Sequence, residues 1–222
     1  LLPRDLWTVK CLGTGSTVAF FLQALGQRLR DGEIPGIVGV PTSLRTEKEA
    51  RELGIPLAPL EEVGLLDLTV DGADEVDPKL GLVKGMGGAL LREKMVAQAT
   101  RRLLIIVDEG KLVDRLGTRS PLPVEVVPFA WQSHLPFLDA LGARGSLREN
   151  PDGSPFFTDN GNLVLDGRFS SGMAAPEEVE RKLAHRAGIV ESGLFLGMTD
   201  EVYVGGSEGD VRILGAEKSG AR

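Results

Sequence analysis

Glycines, carboxylates and lysines gather in places where they could grip an anion and move a proton. The run Gly13-Thr14-Gly15-Ser16-Thr17 stands between a predicted strand and a predicted helix. It offers bare backbone N–H groups, hydroxyls and a helix's positive end, which suit a phosphate. Val18 occupies the third glycine position of the dinucleotide fingerprint, and no Gly-Lys-Ser/Thr follows as in a P-loop. By itself the run suits an ordinary strand-to-helix turn equally well. Asp71-Gly72-Ala73-Asp74-Glu75-Val76-Asp77 follows a second strand, at the carboxyl end where parallel α/β sheets bind ligands. It also suits a solvated acidic turn. Its spacing is not that of an EF-hand, while magnesium on two carboxylates stays open.

Lys84-Gly85-Met86-Gly87-Gly88 leads into a further predicted helix. Three glycines there favour an anion hole, with Lys84 adding a point charge, over a merely flexible connector. On that helix, at 100° per residue, Leu91, Met95 and Ala99 form an apolar stripe. Ala89 and Val96 flank Glu93 on one side, Leu90 and Ala97 on the other. Desolvation there would raise the Glu93 pKa toward a general base's range. A surface ion pair with a neighbouring basic residue fits the same position, and the wheel does not choose. Arg92 falls inside the apolar arc and needs a partner. Lys111, after the turn Asp108-Glu109-Gly110, also belongs to a carboxyl-end loop and suits a phosphate or plain solvent.

These residues need a scaffold, and the pattern supplies one. Predicted strands at residues 6–12, 36–40, 55–58, 65–71 and 103–107 alternate with helices at 17–30, 43–53 and 88–100. Such alternation implies a parallel α/β sheet. Thr42 or Ser43 caps the second helix and Gly54 ends it. Around residue 128 the pattern turns to α+β, with strands at 122–127, 144–149, 156–158, 162–166, 194–196 and 202–204. Helices are expected within 128–141 and, from Pro176, to 186. The expected organisation is an α/β domain of residues 1–127 plus about 200–216, and a smaller α+β domain of residues 128–199. The last strand is expected to return to the main sheet, and the tail 217–222 to fray.

Composition narrows the classes. The chain has 222 residues, 25 basic against 32 acidic, for a net charge of −7. That balance argues against bulk nucleic-acid binding. The 29 glycines are about twice the usual share of roughly 7%, which indicates tight turns and close backbone approach. One cysteine, Cys11, excludes an internal disulfide and fits a reducing cytoplasm. It reads as a buried small hydrophobe. Two histidines, His134 and His185, argue against His-rich metal sites and a Ser-His-Asp arrangement, and both read as structural. No signal peptide or membrane-spanning stretch is expected.

In order, the motifs resemble ribose-5-phosphate isomerase, type A. The matching stretches are Gly13 to Thr17, Asp71 to Glu75, Lys84 to Lys94, Pro121 to Val126, Thr158-Asp159-Asn160-Gly161-Asn162 and Gly193-Leu194-Phe195. Together they span nearly the whole chain. The resemblance implies a Rossmann-like parallel-sheet domain with a smaller, lid-like α+β domain. It implies interconversion of ribose 5-phosphate and ribulose 5-phosphate in the cytoplasm, with no metal or organic cofactor and no nucleic-acid or membrane partner. By match, Glu93 is the proton-shuttling base. Asp71, Asp74 and Lys84 assist ring opening and hold the reacting oxygens. Thr14, Gly15, Ser16, Thr17, Asp71, Gly72, Ala73, Asp74, Lys84, Gly85, Met86, Gly87 and Lys111 line the substrate. A homodimer or homotetramer follows by the same route.

Departures from the family pattern are few. Met86 replaces a common glycine and Leu91 a frequent threonine, both tolerable if the side chain points away from the ligand. Family members carry a further helix of about one and a half to two dozen residues before the first strand. Leu1 stands almost at that strand, and no residue matches the helix's lysine. The alternatives are a fragment, or a chain in which Arg4 partly compensates. Three rivals to the isomerase are a sugar-phosphate sensor, an acyl-CoA transferase-like enzyme with Glu93 as nucleophile, and an inactive truncated isomerase. The sensor needs a DNA-binding module, for which residues before 6 and after 214 leave no room. The transferase needs a larger surface for CoA.

Overall fold

The computed structural model describes residues 8–215. The expectations for Arg4, for the side chains of Cys11 and Ser16, and for the tail 217–222 lie outside the described residues. Two compact units divide the chain. The first comprises the part up to Gly72, Arg92–Gly110 and the part from Met198; the second comprises Ala73–Leu91 and Lys111–Gly197.

The first unit is built on β1 (Thr8–Leu12), α1 (Ser16–Arg30), β2 (Ile37–Pro41), α2 (Leu44–Glu52), α3 (Leu60–Val63) and β3 (Leu68–Asp71). Then come α4 (Leu90–Gln98), most of which belongs here, β6 (Leu103–Asp108), β12 (Glu201–Gly205) and β13 (Val211–Gly215). Its six-stranded sheet runs β13-β12-β6-β3-β1-β2. All neighbours pair in parallel except β13, which adds an antiparallel edge. Val18, Leu22 and Leu25, spaced four and three residues apart, turn one face of α1 onto Leu12, Ile37 and Ala50. Ser43 caps α2 by accepting from the Thr46 N–H at 3.0 Å, and Gly54 follows with φ 72°. The strand expected at 55–58 is only a bridge between Gly39 and Leu57, because Pro56 and Pro59 have no N–H to extend a ladder.

The chain leaves β1 for β2 on one side and reaches β3 on the other, since β1 pairs with both. That reversal opens a crevice at the carboxyl ends of β1 and β3.

The second unit holds two small sheets. β4 (Glu75–Val76), β5 (Leu82–Val83) and β11 (Leu194–Phe195) form one, in the order β11-β5-β4. β7 (Leu122–Val126), β8 (Ala143–Leu147), β9 (Leu163–Phe169) and β10 (Ile189–Ser192) form the other, antiparallel in the order β10-β7-β9-β8. One face of this sheet is apolar. Val124, Val126 and Leu165 pack there with Leu138 of α5 (Leu135–Ala140) and Leu183 of α6 (Pro176–Ala184). Pro176 begins α6, with Glu177 and Glu178 in its first turn and Arg181 and Lys182 in its last, matching the helix dipole.

This division differs from the expected boundary at 127/128. β7 lies between β9 and β10, and β4 and β5 pair with β11, so residues 73–91 and 111–127 join the smaller sheets. The strand expected at 156–158 is a single bridge between Phe157 and Leu163. The return of a late strand to the main sheet is found in β12.

Candidate active site

Asp71 ends β3 with its side chain buried, at 2% exposure. Its Oδ1 accepts from the Gly72 N–H at 2.7 Å and from the Thr14 N–H at 3.3 Å, while the Gly13 N–H donates to the Val70 carbonyl. The loop after β1 is thus fastened to the end of β3. Thr14 adds a second fastening: its hydroxyl lies 2.9–3.1 Å from those of Thr42, Ser43 and Thr46. Thr46 in turn donates to the Gly13 carbonyl. The Thr14 side chain is therefore occupied within the protein. Gly15, with φ 133°, caps α1, whose first turn carries no acidic residue. The open N–H groups there favour an anion. Thr17 is half-buried.

In the second unit the acidic run separates by role. Asp74 is half-buried and its Oδ2 accepts from the Met86 N–H at 3.1 Å. Glu75 is wholly buried and accepts from the N–H groups of Gly117, Arg119 and Ser120. Asp77 Oδ1 accepts from the N–H groups of Lys79 and Gly81 and shapes a turn. Glu75 and Asp77 are structural. Lys84 is buried, with Nζ 5.6 Å from the Phe195 ring centroid and its N–H bonded to the Gly193 carbonyl. A Cβ on Gly193 would come within 2.1 Å of the Lys84 carbonyl oxygen, so glycine is required for this approach.

Met86 and Gly87 are exposed, and Gly85 (φ 102°) and Gly88 (φ 80°) hold backbone shapes that favour glycine. Arg148 underlies this loop: its Nη1 donates to the carbonyls of Gly85 and Met86 at 2.9 and 3.0 Å. Sequence reading missed Arg148, because nothing local to it points to a loop some sixty residues earlier. Lys111 closes a 3-10 turn, Glu109–Lys111. It is half-buried, and its side chain has no ion pair among the described residues. Its charge is available to an anion.

Glu93 lies in the first turn of α4, buried at 4% exposure. The sequence left burial and a surface ion pair open; burial is found, and on a different face. The expected apolar stripe of Leu91, Met95 and Ala99 is the more open side, and Met95 is 51% exposed. The helix buries Leu90, Glu93, Lys94, Val96 and Ala97 instead. Two charged residues on the inner face cost desolvation, which a packing role alone does not require. A buried carboxylate is chemically suited to take a proton from carbon.

The comparisons with known proteins converge. The family model for ribose 5-phosphate isomerase A (phosphoriboisomerase A) matches residues 38–209. The ribose-5-phosphate isomerase A of Desulfatibacillum aliphaticivorans is 53% identical over 198 residues, covering 89% of this chain and 86% of the relative. That of Chloroflexus aurantiacus is 52% identical, covering 89% and 82%. Among solved structures, a D-ribose-5-phosphate isomerase in complex with phospho-erythronic acid is 42% identical with a TM-score of 0.90, covering 96% and 93%. Ribose 5-phosphate isomerase from Plasmodium falciparum is 36% identical with a TM-score of 0.91, covering 95% and 91%. The family model runs through the acidic run, the glycine loop and α4 alike, and by this match and these relatives the chain belongs to the ribose 5-phosphate isomerase A family.

Proposed function

We propose that the chain interconverts D-ribose 5-phosphate and D-ribulose 5-phosphate, with Glu93 moving the proton. In the open-chain aldose, the Glu93 carboxylate takes the proton from C2. The electron pair shifts toward C1, and negative charge collects on the C1 oxygen. The resulting enediolate is met by N–H donors of the loop 84–87 and by Lys84. Glu93 then returns the proton to C1 while the O2 hydroxyl proton passes to the C1 oxygen, leaving the ketose with a C1 hydroxyl and a C2 carbonyl. Asp71 and Asp74 assist ring opening and hold the reacting hydroxyls. The phosphate is held by loop 14–17 with the start of α1, by loop 84–87 and by Lys111.

The observation that carries this reading is the buried Glu93 carboxylate on a helix that begins just after three glycines. The test compares ribulose 5-phosphate formation by the wild type and by Glu93→Gln. Loss of the base should cut turnover by at least about a hundredfold with KM little changed. Near-normal turnover in the variant removes Glu93 from the mechanism.

A homodimer or homotetramer in the cytoplasm belongs to the same reading. It is supported by the family and, for the compartment, by the single cysteine. Among the described residues, no helix is long and apolar enough to cross a membrane.

A further inference from the structure

Arg148 is buried for nine-tenths of its side chain at the end of β8, on the face of the antiparallel sheet away from the apolar core. Asp166, on the neighbouring strand, fixes the guanidinium with two hydrogen bonds, from Nε at 2.9 Å and from Nη2. The Phe156 ring lies against it, 5.8 Å from Cζ to centroid, and also fills the space that a Cβ on Gly88 would need. With the charge neutralised by Asp166, one nitrogen is left for other partners. Nη1 takes two: the carbonyls of Gly85 and Met86.

A trans peptide is planar, with its N–H on the edge opposite its C=O. Holding the Gly85 carbonyl therefore turns the Met86 N–H away from Arg148, and that N–H is found on Asp74 Oδ2. Holding the Met86 carbonyl turns the Gly87 N–H away in the same manner. Gly87 is exposed, and its N–H bonds to no backbone carbonyl among the described residues. Successive N–H groups aimed to one side make an anion-binding nest. A flip of either peptide would present a carbonyl instead, reversing the sign of the dipole that a developing oxyanion meets.

We infer that Arg148 is a positioning residue for the isomerisation: its guanidinium holds the peptide planes of residues 85–87 with their N–H edges toward the substrate. The inference rests on the proposed function and adds to it. Arg148 touches no reacting atom; it acts through the loop.

The experiment is Arg148→Ala, with Asp166→Asn as the second variant and Glu93→Gln as control. Turnover and KM for ribose 5-phosphate are measured beside the affinity for phospho-erythronic acid, whose carboxylate imitates the enediolate. Arg148→Ala should lose about tenfold to a hundredfold in kcat, the scale of a misplaced site, with KM within about threefold. Phospho-erythronic acid should bind more weakly by a comparable factor. Added guanidinium ion should restore part of the lost kcat in Arg148→Ala and none in Glu93→Gln. Asp166→Asn should give a smaller loss of the same kind.

A folded Arg148→Ala with kcat within about twofold of wild type overturns the inference. So does a kcat loss with unchanged inhibitor affinity and no guanidinium rescue, which marks a purely structural residue. If Arg148→Ala does not fold, Asp166→Asn decides by the same measurements, and unaltered kcat and inhibitor affinity there overturn it. A wild type that does not isomerise ribose 5-phosphate defeats the proposed function itself, a result separable from any loss confined to the Arg148 and Asp166 variants.

Discussion

A Cβ placed on Gly13 would fall 2.0 Å from Asp71 Oδ1 and 2.8 Å from the Asp71 Cα. The loop after β1 and the end of β3 therefore meet with no room for a side chain. The contact brings Asp71 within reach of the Thr14 N–H and keeps both loops in one crevice.

Gly13→Ala should displace Asp71 or open the loop. Overpacking of this kind costs about 1–3 kcal/mol, to be read from urea denaturation. Turnover should fall by at least about tenfold, since the carboxylate moves while the fold persists. A variant with wild-type turnover and stability would show that Asp71 does not need its present position.

Lys111→Ala should act on binding. With no ion pair to break among the described residues, its removal leaves the fold unaltered and takes one cation from the substrate phosphate. KM for ribose 5-phosphate should rise about tenfold, the scale of one charge-assisted hydrogen bond, with kcat little changed. Steady-state kinetics at two salt concentrations checks it, because added salt should shrink the difference. An unchanged KM assigns the phosphate to the backbone loops alone.

Chelators should not slow the reaction. In the proposed mechanism the oxyanion is met by N–H donors and Lys84, so activity after EDTA dialysis should equal that before. Activity lost to EDTA and restored by magnesium would contradict the mechanism.

His134 makes stability depend on pH. Burial first, and then the nearby Arg186 charge, hold its pKa below 6.5. Its Nδ1 accepts from Arg186 Nε at 3.0 Å, which requires the neutral ring. The unfolded chain takes up the proton first as pH falls below about 6.5, so folded stability drops from there toward the folded pKa. The slope from this one group is at most about 1.4 kcal/mol per pH unit. Urea midpoints at pH 7.5 and 5.5 should differ less in His134→Gln than in the wild type. Equal differences would assign the acid sensitivity to other groups.

The readable parts of this molecule are those whose cause is local. Ser43 is three residues before the N–H that it caps, and Gly54 stands where α2 must stop; both were legible. Glu93 read equally well as a buried base or as half of a surface ion pair, and the inner face of its helix was not legible. An apolar stripe through Met95 looks like the inner side, yet Lys94 and Glu93 are inside. Site residues that break the hydrophobic pattern misdirect any reading based on it. Asp74 and Glu75 are chemically alike in the sequence, and only tertiary structure gives one to the glycine loop and the other to the N–H groups of 117–120. β4 and β5 have two residues each, too few for periodicity to register.

The four hydroxyls of Thr14, Thr42, Ser43 and Thr46 have a consequence for how this enzyme could change over time. They face one another, so the Thr14 side chain serves the shape of the loop, whose N–H groups are main chain. Main-chain groups are the same whatever side chain a codon specifies. A change of side chain that kept the backbone in place would leave those N–H groups to an anion, whereas altering the hidden hydroxyls would bend the loop and disturb affinity from behind. Attempts to retune this end of the molecule toward other ligands should therefore begin with Thr42, Ser43 and Thr46.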